Sequence, residues 1–291
     1  MYKKIEITNT QNVELTGYFY ENSSRTCILY IHGFCGAFDA LPETIGEYVS
    51  TQNISFLCGL MQSSYLDCEL KQYTKSHSVY TTKQGGSIYE NYDDCLYDLS
   101  MWLDFLDKKF DNIYLIGHEM GVNKAIYLAT QKLSPKIKGL IMLAPQDYSH
   151  IDENPEHIGM LQEATFNLTN NQPNQLLSGF FLGEMPISSG TYYDLINNPN
   201  LHNFCYKDIH QDFENIRNLN IPIKIIIGDL DPALENYANM RQINALFNGL
   251  ATKIPNLSYT VMNGTTHSFR NREQDVAELV GEFIQNNNKI L

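Results

Sequence analysis

A chain of 291 residues with 43% apolar residues has the material for one sizeable core, so a single α/β domain carrying an insertion fits its length. The formal net charge of −13, with no basic patch to interrupt it, sets the chain against nucleic acid and anionic membrane surfaces as partners. The start, Met1-Tyr2-Lys3-Lys4-Ile5-Glu6, turns charged before any apolar run develops, and no run approaches a membrane span, so a cytoplasmic location is expected.

Residues 4–8 and 13–20 read as an opening antiparallel pair, with Asn9, Thr10, Gln11 and Asn12 as its turn. Residues 27–31 form a continuous apolar run, followed by others at 54–58, 113–116, 140–143, 223–227 and 258–262. Runs apolar on both faces are what a parallel sheet covered on both sides requires. Between them, residues 89–110 carry Tyr92, Leu96, Leu99, Leu103 and Leu106 at helical spacing, and Val122, Ala125, Ile126 and Ala129 repeat it. Val276, Leu279, Val280, Phe283 and Ile284 close the chain with an amphipathic helix. The alternation predicts a mostly parallel central sheet with helices on both faces.

Residues 146–220 break the rhythm: they are rich in Asn, His and Tyr and join two strands that far fewer residues would connect. A connection of this length in a compact domain usually has a function, so it is read as a lid over the carboxyl ends of the strands. The core is then 1–145 and 221–291. His150, His157, His202 and His210, with Asp152, Glu153, Glu156 and Asp208, fall in this insertion, but their spacing matches no familiar ligand set, and they read as a solvated polar face. The six cysteines, Cys27, Cys35, Cys58, Cys68, Cys95 and Cys205, lack the CxxC pairing of zinc or redox sites and read mostly as small buried hydrophobes. No cofactor is expected, since neither a GxGxxG turn nor a metal-ligand cluster is present.

Gly117-His118-Glu119-Met120-Gly121 follows the 113–116 run and opens a helical pattern, the strand-turn-helix context of a nucleophile elbow with Glu119 where serine is expected. An acyl-transfer site on such an architecture needs a nucleophile on a sharp turn, a histidine, a carboxylate to orient it, and backbone donors for the oxyanion. His32-Gly33-Phe34-Cys35-Gly36 follows the 27–31 strand and offers the Phe34 N–H as one donor; the Met120 N–H is the other. Gly228-Asp229-Leu230-Asp231-Pro232 offers Asp231 as the orienting carboxylate, with Asp229 as the alternative, and Asn263-Gly264-Thr265-Thr266-His267 offers His267. Cys35 reads as a small residue filling a tight turn in preference to a substitute nucleophile. Tyr192 and Tyr193 invite comparison with lid tyrosines that protonate epoxide oxygens, but adjacent residues rarely point the same way, and packing is the better reading.

The order elbow, acid, histidine resembles that of the α/β-hydrolase superfamily over nearly the whole chain, nearest its esterase and lipase branch. The resemblance implies the α/β-hydrolase fold, a dyad of His267 and Asp231, and an oxyanion hole lined by Phe34 and Met120. The departure is Glu119, where esterases have serine and where dehalogenases and epoxide hydrolases have aspartate. With carboxylates on both sides, the imidazole of His267 should be more readily charged than usual, which makes it a poor general base at neutral pH. Three readings follow. Glu119 and His267 act as an acid-base pair on a small organic substrate, which the absence of HGxP from the His32-Gly33-Phe34-Cys35 loop favours over covalent attack by Glu119 on an sp3 carbon. The second is a non-catalytic ligand-binding protein. The third is a serine esterase altered at this position. Substrate identity and oligomeric state are beyond the sequence.

Overall fold

The structure, a computed structural model, describes residues 1–74, 79–148, 151, 157–201, 213–234 and 239–288. Eight strands make the central sheet: β1 (Lys3–Thr8), β2 (Glu14–Tyr20), β3 (Thr26–Ile31), β4 (Ser55–Gly59), β7 (Asn112–His118), β8 (Ile137–Leu143), β9 (Ile223–Gly228) and β10 (Leu257–Met262). Their order is β1-β2-β4-β3-β7-β8-β9-β10. Only the β1/β2 and β2/β4 pairs are antiparallel, and every pair from β4 to β10 is parallel. The buried strands β3, β4, β7, β8 and β9 are the apolar runs of the sequence, and the edge strand β10 is only partly buried.

The chain leaves β3 through α1 (Ala40–Thr51) to reach β4 on one side, and leaves β7 through α3 (Met120–Thr130) to reach β8 on the other. The two connections diverge between β3 and β7, and a crevice opens at the carboxyl ends of strands where the order reverses in this way. The loop at 32–36 and Glu119 both lie at that switch point.

Two apolar layers flank the sheet. One face carries α2 (Asp94–Asp107), α3 and α7 (Met240–Lys253), and the other carries α1 and α8 (Glu273–Asn288), which pack together. Trp102, the single tryptophan, is fully buried on α2 and donates its indole N–H to the Leu60 carbonyl at 2.9 Å, fixing that helix to the end of β4.

Two differences from expectation stand out. A separate antiparallel hairpin, β5 (Cys68–Tyr73) and β6 (Tyr80–Gly85), was not foreseen, because its residues are mostly polar and only Leu70 gives it an apolar contact with the core. The helix expected from residue 89 begins at Asp94, since residues 87–89 form a tight 3-10 turn and the Tyr92 N–H is taken by Asp194 at 2.7 Å.

Between β8 and β9 lie α4 (Met160–Thr169), α5 (Ser189–Asn197) and the single turn α6 (Glu214–Arg217). This segment shares the larger core through Met160, Ala164, Phe181, Ile187 and Tyr192. The Ile88 carbonyl anchors α5, accepting from the Ser188 N–H at 3.1 Å and the Thr191 hydroxyl at 2.8 Å. His150, His202, His210, Asp152, Glu153, Glu156, Asp208 and Cys205 lie outside the described residues. No helix among the described residues is long and apolar enough to cross a membrane.

Candidate functional site

Glu119 stands between β7 and α3 at φ 55°, ψ −126°. This left-handed backbone is costly for any residue with a Cβ and persists only where the surroundings over-determine it. They do so here because α3 presses directly on the sheet: a Cβ on Gly121 would lie 2.1 Å from the Ile31 carbonyl oxygen. The sharp turn lifts the Glu119 side chain out of the strand and into the switch-point crevice. There one carboxylate oxygen, Oε2, accepts the Phe34 N–H at 2.5 Å. The other, Oε1, accepts the hydroxyl of Tyr148. Gly33 makes room for this arrangement, since a Cβ there would sit 2.2 Å from Oε2. Met120, whose N–H was expected as the second oxyanion donor, is buried at the first position of α3, directly after Glu119.

The loop at 32–36 is clamped from below. His32 is buried, and burial together with the nearby charge of Lys124 lowers its imidazole to about 3, so it is neutral. Its Nδ1 meets the Gly33 carbonyl at 2.9 Å and its Nε2 the Ser64 hydroxyl at 2.7 Å, which assigns Nδ1 as the donor and Nε2 as the acceptor. The Cys35 N–H donates to the Ser87 hydroxyl at 2.6 Å, which in turn donates to the Ser63 carbonyl at 2.8 Å. Lys124 of α3 lies beneath, wholly buried, with its ammonium 2.5 Å from Glu90 and 3.2 Å from the Ser63 hydroxyl. Burial holds the Glu90 carboxyl above its usual value against the pull of Lys124. Cys35 itself is half-buried at φ 56°, its Sγ 3.6 Å from Met185 Sδ, and burial pushes its thiol up to about 11. A thiol so rarely ionised is a poor nucleophile.

Across the crevice, His267 follows β10 and Asp231 follows β9. Nδ1 of His267 lies 2.9 Å from Asp231 Oδ2, with the aspartate side chain fully buried and the imidazole 26% exposed. Asp229, the alternative acid, instead accepts the Thr265 N–H at 3.3 Å. Burial opposes the charged imidazolium of His267, but the hydrogen bond and charge of Asp231, with the charge of Glu119, outweigh it and raise its value above the ordinary one. No hydrogen bond joins Glu119 to His267. His118 packs beside His267, ring centroids 5.6 Å apart, and its Nε2 approaches the His267 carbonyl at 3.3 Å. Burial and the nearby His267 lower it to about 4. The Gln146 amide nitrogen sits 3.5 Å from both ring nitrogens of His267.

The sequence reading missed Tyr148, the network of Ser63, Ser87, Glu90 and Lys124, and Phe181. Tyr148 lies five residues beyond β8, at the same end of the sheet as Glu119, and only that position after a central strand hinted at a role. Phe181 is fully buried, with its ring 5.2 Å from that of Phe34 and 6.3 Å from that of Tyr148. His157 is buried against Phe181 and stacked on the buried Tyr192, whereas Tyr193 is exposed, so this tyrosine pair points two ways. Among the described residues no group of histidines, cysteines and carboxylates could hold a metal ion. Cys27, Cys58 and Cys95 are buried and Cys35 and Cys68 partly so, all five free.

No family model and no curated protein matches the sequence. Solved structures do match its shape. Est1E from Butyrivibrio proteoclasticus, solved with ferulic acid bound, has a TM-score of 0.64 at 16% identity, covering 98% of this chain and 99% of its own. The esterase Pf2001 of Pyrococcus furiosus has a TM-score of 0.58 at 16% identity, covering 98% of this chain and 90% of its own. The α/β hydrolase GrgF of a Penicillium species has a TM-score of 0.63 at 14% identity, covering 96% of this chain and 98% of its own. With its mostly parallel sheet and helices on both faces, this chain has the α/β-hydrolase fold.

Proposed function

We propose that this chain is an enzyme acting on a small organic molecule by acid-base chemistry, with Glu119 and His267 as the working pair and Asp231 orienting His267. One observation carries the reading: the Phe34 N–H, the donor an acyl-transfer oxyanion would use, is occupied by the protein's own carboxylate. Chemistry that develops negative charge on an ester oxygen would have to displace Glu119 first, whereas proton transfer needs no such vacancy. His267, with Nδ1 committed to Asp231 and a raised value, serves as a proton donor through Nε2. Residues 146–220 act as a lid over this site, with the core formed by 1–145 and 221–291.

Hydrolysis of a short activated ester by the parent and by Glu119→Ser, side by side across pH, tests the reading. Turnover by the Ser variant alone, on the order of a hundredfold above the parent or more, is expected, because the serine then has both His267 and the freed Phe34 N–H. Once a substrate is found, single turnover in heavy-oxygen water separates the mechanisms. Label in the Glu119 peptide would overturn acid-base chemistry in favour of covalent attack.

The arrangement that carries this reading also favours a second one. Both oxygens of Glu119 already have donors, as expected of a site that binds a ligand without reacting with it. Failure of both proteins to cleave the ester would make that non-catalytic reading the leading one.

A further inference from the structure

We propose that Tyr148 is a positioning residue that, together with the Phe34 N–H, fixes the Glu119 carboxylate away from His267, and that the ring of Phe181 braces both donors. The inference rests on the reading that Glu119 and His267 work as a pair.

Each oxygen of Glu119 has one donor, from two different loops: Phe34 after β3 and Tyr148 after β8. A carboxylate held at both oxygens cannot turn about its last bond, whereas one held at a single oxygen can. Tyr148 is 3% exposed, so no water competes freely for its hydroxyl. Burial and the adjacent Glu119 push that hydroxyl well above its usual value, so it stays protonated and can only donate toward Glu119. Phe181 touches the rings of both donor residues, and its own backbone is tied to Met185, with N–H to carbonyl distances of 2.7 Å and 3.0 Å. The segment between β8 and β9 is thereby linked to the position of one carboxylate.

His267 reports that position. Among the described residues, the charged or titratable groups facing it are Asp231 from the end of β9 and Glu119 and His118 from the end of β7, with the neutral Gln146 from beyond β8. Asp231 is held by its own contact, and His118 stays neutral at ordinary pH, so among the described residues Glu119 is the charge whose distance a change at Tyr148 would alter.

The experiment is NMR titration of the His267 imidazole in the full chain: parent, Tyr148→Phe, Glu119→Gln and the double variant. Tyr148→Phe keeps the ring against Phe181 and removes only the hydroxyl. The expected result is a downward shift of the His267 midpoint in Glu119→Gln, an upward shift in Tyr148→Phe as the released carboxylate turns inward, and no further effect of Tyr148→Phe once Glu119 is neutralised. A merely structural role for Tyr148 would not show that dependence on Glu119. If Glu119→Gln lowers the midpoint and Tyr148→Phe leaves it unmoved, the positioning role is overturned and the pairing stands. If Glu119→Gln does not move it, the pairing fails and the proposal with it. Phe181→Leu, which keeps the apolar volume, should shift the midpoint in the same direction as Tyr148→Phe by a smaller amount; no shift would remove Phe181 from the device.

Discussion

The two halves of the crevice, separated by β8, use their hydrogen-bonding groups in opposite ways. On the β9/β10 side, His267 commits one ring nitrogen to Asp231 and keeps a quarter of its side chain in contact with solvent. On the β3/β7 side, the Phe34 N–H and both oxygens of Glu119 are spent on each other and on Tyr148. The first half keeps hydrogen-bonding capacity open to solvent, and the second spends its capacity within the protein. One residue at the turn makes the difference: serine would leave the Phe34 N–H open, and glutamate reaches it.

The comparison breaks most severely if the support under the β3/β7 half is removed. Lys124→Met should leave Glu90 as an unpaired buried carboxylate and destabilise the protein by about 3–5 kcal/mol, read from urea denaturation. Adding Glu90→Leu should recover much of the loss, because an apolar pair replaces a buried ion pair at little net cost. A loss no larger than that of a surface substitution would mean the pair does not hold this half. Gly33→Ala is a gentler probe. Its methyl collides with the Glu119 carboxylate and should cost about 1–3 kcal/mol by overpacking, and less when Glu119 is replaced by Ser. Equal costs in the two backgrounds would argue that the carboxylate does not rest over Gly33.

The smallest effect belongs to the other half. Because the folded-state value of His267 is raised, the charged imidazole adds stability that is fully present below its ordinary value and is lost as pH rises through the raised one. The stability advantage of the parent over His267→Gln should therefore shrink with rising pH across that window. An advantage that grows with pH would contradict the Asp231 contact.

Much of this arrangement was legible in the chain. Six of the eight sheet strands announce themselves as apolar runs bounded by Gly, Asn, Pro or Asp, the opening antiparallel pair by the polar turn between them, and the turn at Glu119 by its glycines. What stayed hidden depends on contacts between distant segments. Nothing in the spacing of Asp229 and Asp231 distinguishes them, and the choice is made by Thr265, whose N–H engages Asp229 while Asp231 is left to His267. Tyr148 is 29 residues from the carboxylate it meets, and a lone tyrosine after a strand carries no local signature. The β5/β6 hairpin escaped notice because its residues are mostly polar and only Leu70 packs against the core, too little apolar pattern to mark a strand.

The strand order also sets a timetable. β3 and β7 are neighbours, so the pairing that brings Phe34 to Glu119 can form as soon as the first half of the chain has left the ribosome. Asp231 and His267 hang from β9 and β10, whose partnership is the last in the sheet to be synthesised. At ordinary elongation rates the interval is on the order of ten seconds. The Phe34 N–H and the Tyr148 hydroxyl, both synthesised before β9, can cap the half-buried Glu119 carboxylate during that interval, before Asp231 and His267 have been made.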